Sequence, residues 1–136
     1  MQYQKDILHL TLKKKWFDMI KSGVKTEEYR EIKDYWVRRL CCFRGGKDHT
    51  EIDDFVSDLK DHFNRYNSVR ECFQEHGAFA VKYNKVRFKN GYSKDAPVID
   101  VEFKNFTVSH GCPAWGAEPG KLYFTIGLGN VYNIKR

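Results

Sequence analysis

Ile7-Leu8-His9-Leu10-Thr11-Leu12 runs straight into Lys13-Lys14-Lys15-Trp16-Phe17-Asp18-Met19-Ile20-Lys21-Ser22-Gly23, and the hydrophobic period changes at the junction. In the first stretch the apolar positions 8, 10 and 12 alternate, the spacing of a strand with one buried face. In the second, Trp16, Phe17 and Ile20 share one side of a helix with lysines opposite. Gly23 then offers the left-handed residue that ends such a helix. Lys25 to Glu31 reads as the returning second strand.

The rest of the chain extends this alternation of short elements. Asp34 can cap a helix to about Phe43 that turns Trp36, Leu40 and Phe43 inward, leaves Arg38 and Arg39 pointing elsewhere, and stops at Gly45-Gly46. Thr50-Glu51-Ile52-Asp53 resembles a capping box with Asp in place of Glu. It opens a helical period through Ile52, Phe55, Val56, Leu59, Phe63 and Tyr66. After Asn67, Ser68-Val69-Arg70-Glu71 is a better capping box and starts a further short helix to about Glu75, closed by Gly77.

After Gly77 the period becomes that of strands. Lys82 to Lys89 alternates, with Val86 and Phe88 on one face, and Asn90-Gly91 is a strong turn signal. Ile99, Val101 and Phe103 alternate before the phase slips to Phe106 and Val108, which predicts a bulge near Asn105. Leu122, Phe124, Ile126 and Leu128 form the last strand, after the turn-rich Gly111 to Gly120. The order β-α-β-α-(α-α)-β-β-β has too few helices between strands for a doubly wound sheet. The expectation is an α+β fold: a small mixed β-barrel with flanking helices and an inserted acidic helical segment at about residues 48–76, all in a single domain spanning 1–136.

Composition bounds the function. A chain of 136 residues with 41% hydrophobic and 15% aromatic content can bury one sizeable core and does not read as disordered. No run of 18 apolar residues occurs, and Met1 to Asp6 lacks the order of a signal peptide, so a cytoplasmic protein without membrane contact is expected. Cys41, Cys42, Cys72 and Cys112 form no C-x-x-C pair, and a Cys42/His49/Cys72/His76 cluster would match no ligand spacing, so neither a metal nor another cofactor is expected. Residues 1–47 carry a net +6, residues 48–76 a net −5 and residues 77–136 a net +5. Two basic segments flanking an acidic one suit a body that meets a polyanion.

Gly23-Val24-Lys25-Thr26-Glu27-Glu28-Tyr29-Arg30 is where that body carries chemistry. On an extended chain Glu28 and Arg30 project to the same face. A carboxylate beside a guanidinium forms a structural ion pair or offers an acceptor and donors to a nucleobase edge, with Lys25 left for phosphate. Tyr92 and Trp115 lie in turn-rich segments and are candidates to stack a base. Trp16 and Trp36 fit packing better. Asn90-Gly91-Tyr92-Ser93-Lys94 reads equally as a ligand loop or a plain hairpin turn. His9 and His110 have no neighbours that suggest metal or triad chemistry.

The pattern G-x-K-x-x-E-x-R at Gly23, Lys25, Glu28 and Arg30, after a strand and an amphipathic helix, resembles the ASCH family of the PUA-like superfamily. Val86 to Tyr92 and Tyr123-Phe124-Thr125-Ile126-Gly127-Leu128-Gly129 are similar to small ASCH proteins of phage and bacterial genomes. The resemblance covers about 5–44 and 80–131, not the acidic insertion. It implies a PUA-like barrel that binds RNA or a nucleotide, with Lys25, Glu28, Tyr29, Arg30, Asn90, Tyr92, Ser93, Lys94 and Trp115 as binding candidates. Some ASCH proteins hydrolyse N4-acetylcytidine with a Lys and a Thr three residues later; Lys25 matches the first, but Glu28 stands at the second. Lys25 and Glu28 are thus the catalytic candidates of a hydrolase reading, and binding without catalysis is the leading expectation. Ribonuclease activity is another role of ASCH relatives, although no His pair suited to it is present. A third reading makes residues 50–75 a contact for a protein partner.

Overall fold

The computed structural model describes residues 3–135, and its first strand, β1 (Tyr3–Leu12), pairs in parallel with β4 (Ala78–Asn90). The helix α1 (Lys14–Lys21) buries Phe17 and Ile20 and leads to β2 (Glu27–Glu31). Then come α2 (Asp34–Leu40), β3 (Cys41–Phe43), α3 (His49–Lys60), α4 (His62–Arg65) and α5 (Val69–Glu75), before β4, β5 (Val98–His110) and β6 (Leu122–Lys135). The strands run β1-β4-β5-β6-β2, with β3 attached to β4, as a curled half-barrel flanked by helices. The expected mixed α+β architecture is what forms. Among the described residues no helix is long and apolar enough to cross a membrane.

Alternation fixes the core. Leu8, Leu10 and Leu12 of β1, Val86 and Phe88 of β4, Ile99 and Val101 of β5, and Phe124 and Ile126 of β6 are all buried on one face of the sheet wall. The inserted helices add Ile52, Phe55, Leu59 and Cys72 to the same cluster. Phe55 centres them, edge-on to Phe43 at 5.3 Å and to Phe73 at 5.1 Å between ring centroids. The apolar face of the insertion is therefore packed, and its acidic face is outward.

Several local expectations change. Asp34 is the first residue of α2 and not its cap, since Lys33 holds the cap position without a side-chain bond and the Asp34 carboxylate pairs with Arg38; the helix stops at Leu40, and Cys41–Phe43 is a strand because its backbone pairs with Ala78–Ala80. The cap of α3 is Asp48, not Thr50: Asp48 accepts from the Glu51 amide at 2.9 Å and Glu51 reaches back to the Asp48 amide at 3.3 Å. A glutamate at the third helical position spans that gap, which the shorter Asp53 would not. Ser68 caps α5 through the Glu71 amide, as its spacing to Glu71 predicts. The long helical period breaks at Asp61, so α4 turns His62 inward and leaves Phe63 68% exposed. The slip in β5 does occur as irregular pairing with β6 between Asp100 and Asn105.

Candidate functional site

β1 and β2 are the two ends of the strand path, and the motif sits at the seam between them. The seam is closed by side chains. Arg30 Nη2 donates to the Thr11 carbonyl at 3.3 Å and Arg39 Nη2 donates to the His9 carbonyl at 2.8 Å. Carbonyls two residues apart on a strand point the same way, so two guanidiniums cover one edge of β1. Between them lies Trp36, with the Arg30 guanidinium 4.8 Å and the Arg39 guanidinium 5.0 Å from its ring centroid. Trp36, expected as a packing residue, is also the platform for both arginines.

Inside the seam the motif forms a charged triad. Glu28 accepts from Lys25 at 3.2 Å through Oε1 and from Arg30 at 2.7 Å through Oε2. Lys25 is 2% exposed, and its ammonium also donates to the Trp115 carbonyl at 2.6 Å. The rings of Tyr29 and Trp16 lie 4.9 and 5.1 Å from that ammonium. Burial pulls the Lys25 pKa below its ordinary value, against the attraction of Glu28 that favours the charged form. Arg30 Nε is buried and has no hydrogen-bond partner among the described residues.

The same residues anchor the loop before β6. Tyr29 Oη donates to Glu27 at 2.8 Å and accepts from the Cys112 amide at 2.9 Å. Burial drives the Tyr29 phenol well above its usual pKa, so it remains an O–H donor. Gly116, at φ 103°, lets the loop pass Trp16 where an added Cβ would lie 3.0 Å from the indole. Trp115 thus meets the motif through its carbonyl, and Lys25 and Tyr29 hold 112–115 against the sheet.

Structure brings together Lys25, Glu28, Tyr29, Arg30 and the Trp115 backbone. The Asn90 to Lys94 turn is separate from the triad but tied to the same end of β1, since the Gly91 amide donates to the Leu12 carbonyl at 3.0 Å. Tyr92 is 90% exposed there, with Ser93 and Lys94 also outward. Of the two histidines set aside, His9 contributes its carbonyl, and His110 sits over Phe63 in a stacked arrangement. Cys42, His49, Cys72 and His76 do not converge: His49 pairs with Asp34 and His76 with Asp58.

A depression of about 440 Å³ flanks the motif on the α1 side. Lys21, Ser22, Gly23, Lys25, Thr26, Lys104 and Asn130 supply its polar lining, and no carboxylate belongs to it. Lys21, Lys104 and Asn130 were not singled out in the sequence, because they lie on three different elements with no shared spacing. Arg39 was equally hidden, though Trp36 and Arg39 stand at the i, i+3 spacing of a helix face.

Comparison with protein-family models, curated proteins and solved structures finds no match to the chain.

Proposed function

We propose that the chain is an ASCH-type PUA-like module that binds RNA or a nucleotide at the motif. The observation that carries this reading is the depression beside Gly23 to Thr26. Lys21, Lys104, the hydroxyls of Ser22 and Thr26 and the Asn130 amide are donors, no carboxylate is among its lining side chains although that of Glu102 sits at its edge on the Asn130 backbone amide, and its size falls in the range of small-ligand sites. A phosphate is the anion such a lining suits. The outward Tyr92 supplies an aromatic surface near the same end of β1 for a base or a following nucleotide.

Binding rather than hydrolysis is favoured by the state of Glu28. Both its oxygens are engaged by cations, so it is poorly placed to take a proton from water. Lys25 is likewise committed to Glu28 and to the Trp115 carbonyl. Of the triad Lys25 alone lines the depression, held there by Glu28, and the exposed donors around it make first contact.

Titration with nucleoside monophosphates and short RNAs, read by thermal shift and fluorescence anisotropy, tests the proposal. Binding to at least one, weakened about tenfold or more by Lys21→Glu or Lys104→Glu and falling steeply with added salt, is the expected result. Absence of a response to every nucleotide and RNA by the intact protein would overturn it.

A further inference from the structure

The wall between β4 and β5 is open over half its length. The ladder joins Lys85–Lys89 to Val98–Glu102 and stops. Beyond it β5 continues from Phe103 to His110 with β6 on one side only. The ladder ends within the stretch, Asp100 to Asn105, where the pairing of β5 with β6 is irregular, and bulges of that kind bend a strand. That leaves the other edge of residues 103–110 without a strand partner among the described residues.

Two cavities occupy the gap. One, of about 250 Å³, lies between Ala80–Lys82 and Phe103–Phe106. The other, of about 640 Å³, extends it beneath α5 and is walled by Val69, Phe73, Phe79 and Phe106. They share Ala80 and Phe106 and so lie side by side along the gap. Arg44 and Arg70 line its wide part and Lys82 its narrow part, all three exposed. Among the described residues none of the three has an ion-pair partner.

We propose that this cleft takes an extended acidic peptide, which adds to β5 as a strand alongside Phe103 to Thr107. Five residues of unpaired edge match the length of a short strand. Main-chain bonds to β5 would supply affinity, and alternation along the added strand would send apolar side chains toward Phe79 and Phe106 and acidic ones toward Arg44, Arg70 and Lys82. Charge decides the occupant. A basic rim on an apolar, strand-edged cleft fits a peptide that alternates acidic and apolar residues, and the unpaired backbone edge is a feature that a nucleic acid has no means to complete. This surface meets the Gly23 to Thr26 depression at Lys104, which lines both, but Lys21 lines only the depression and Arg44, Arg70 and Lys82 line only the cleft, so Lys21→Glu and Arg70→Glu tell the two readings apart.

The probe is a fluorescein-labelled seven-residue peptide that alternates glutamate with valine and phenylalanine. Its control is the same peptide N-methylated at every second amide, which keeps charge and apolar groups but removes ladder donors. The full chain is expected to bind the first peptide, to bind the methylated form at least about tenfold more weakly, and to show slowed amide exchange within Phe103 to Thr107. Arg70→Glu and Lys82→Glu should each weaken binding about tenfold, whereas Lys21→Glu should not change it. Equal affinity for both peptides, no binding of either, or unaltered exchange at 103–107 overturns the proposal. So does an oligouridylate that binds this face and loses affinity in Arg70→Glu, since the cleft would then belong to nucleic acid.

Discussion

Arg30 and Glu28, two residues apart on β2, meet side by side, with Nη2 donating to Oε2 at 2.7 Å, while another contact of Arg30 reaches the β1 carbonyl of Thr11. One guanidinium thus joins a buried carboxylate to an edge strand that has no strand neighbour on that side among the described residues. The ion pair anticipated from the sequence is also the fastening of the half-barrel seam. Structural and binding roles for the motif are compatible, because a fixed seam holds the surrounding donors in place.

Glu28→Gln should destabilise the fold strongly. Removing one member of a buried ion network leaves the others uncompensated, typically at a cost of about 3–5 kcal/mol. Lys25, at 2% exposure, cannot turn to water, whereas Arg30 is partly solvated. The double variant Lys25→Met/Glu28→Gln is expected to recover a large part of the loss, because it removes the buried charge that Glu28 neutralised. Urea denaturation of the single and double variants measures this, and a double variant less stable than Glu28→Gln contradicts the account.

A second buried carboxylate sets a pH dependence. Asp100 is 1% exposed and accepts from Arg87 at 2.7 and 2.9 Å, from Lys85 at 2.9 Å and from Asn133 at 3.1 Å. The Arg87 hydrogen bonds, followed by those of Lys85 and Asn133, hold its pKa well below the ordinary 3.8 despite the opposing effect of burial. Below that ordinary value the unfolded chain binds the proton first. The stability Asp100 contributes is therefore present above about pH 4 and is lost as the pH falls toward the folded-state value. Stability measured from about pH 5 down to about pH 2 should decline more gently in Asp100→Asn than in the intact protein. Equal slopes would show that other carboxylates govern acid unfolding.

How much of this was legible beforehand depended on whether a feature was local. Leu8, Leu10 and Leu12 alternate within one strand, and the phase slip after Phe103 is written in neighbouring residues, so both were readable. Cys41–Phe43 was not: its strand exists because Ala78–Ala80 lies alongside, and nothing within the three residues specifies that partner. The Glu28–Arg30 pair could be foreseen from their shared strand face. The carbonyls of His9 and Thr11, which receive Arg39 and Arg30, could not, since a backbone acceptor carries no sequence signature. Lys21, Lys104 and Asn130 gather only after α1, β5 and β6 have folded together.

The corrected start of α3 has its own test. Asp48 and Glu51 close a reciprocal capping box, so Asp48→Ala should cost about 1 kcal/mol, the usual worth of such a cap. Thr50, already inside the helix and exposed, should tolerate Ala with little change or a slight gain in helix propensity. Thermal denaturation of the two variants ranks them directly. A larger loss from Thr50→Ala would restore the cap to the position that the sequence suggested.

Phe63 and Phe55 provide the sharpest contrast between period and packing. Both fall on the apolar period that begins at Ile52, yet Phe55 is fully buried against Phe43 and Phe73, while Phe63 is 68% exposed beyond the break at Asp61. Its ring lies at the surface, beside His62 and His110. Phe55→Ala should therefore cost about 3–5 kcal/mol, the range for emptying a core aromatic site. Phe63→Ser should stay within about 0.5 kcal/mol of the intact protein, as surface replacements do. If α3 instead continued unbroken through Tyr66, Phe63 would face the core and the two substitutions would cost similar amounts, an outcome that chemical denaturation separates clearly.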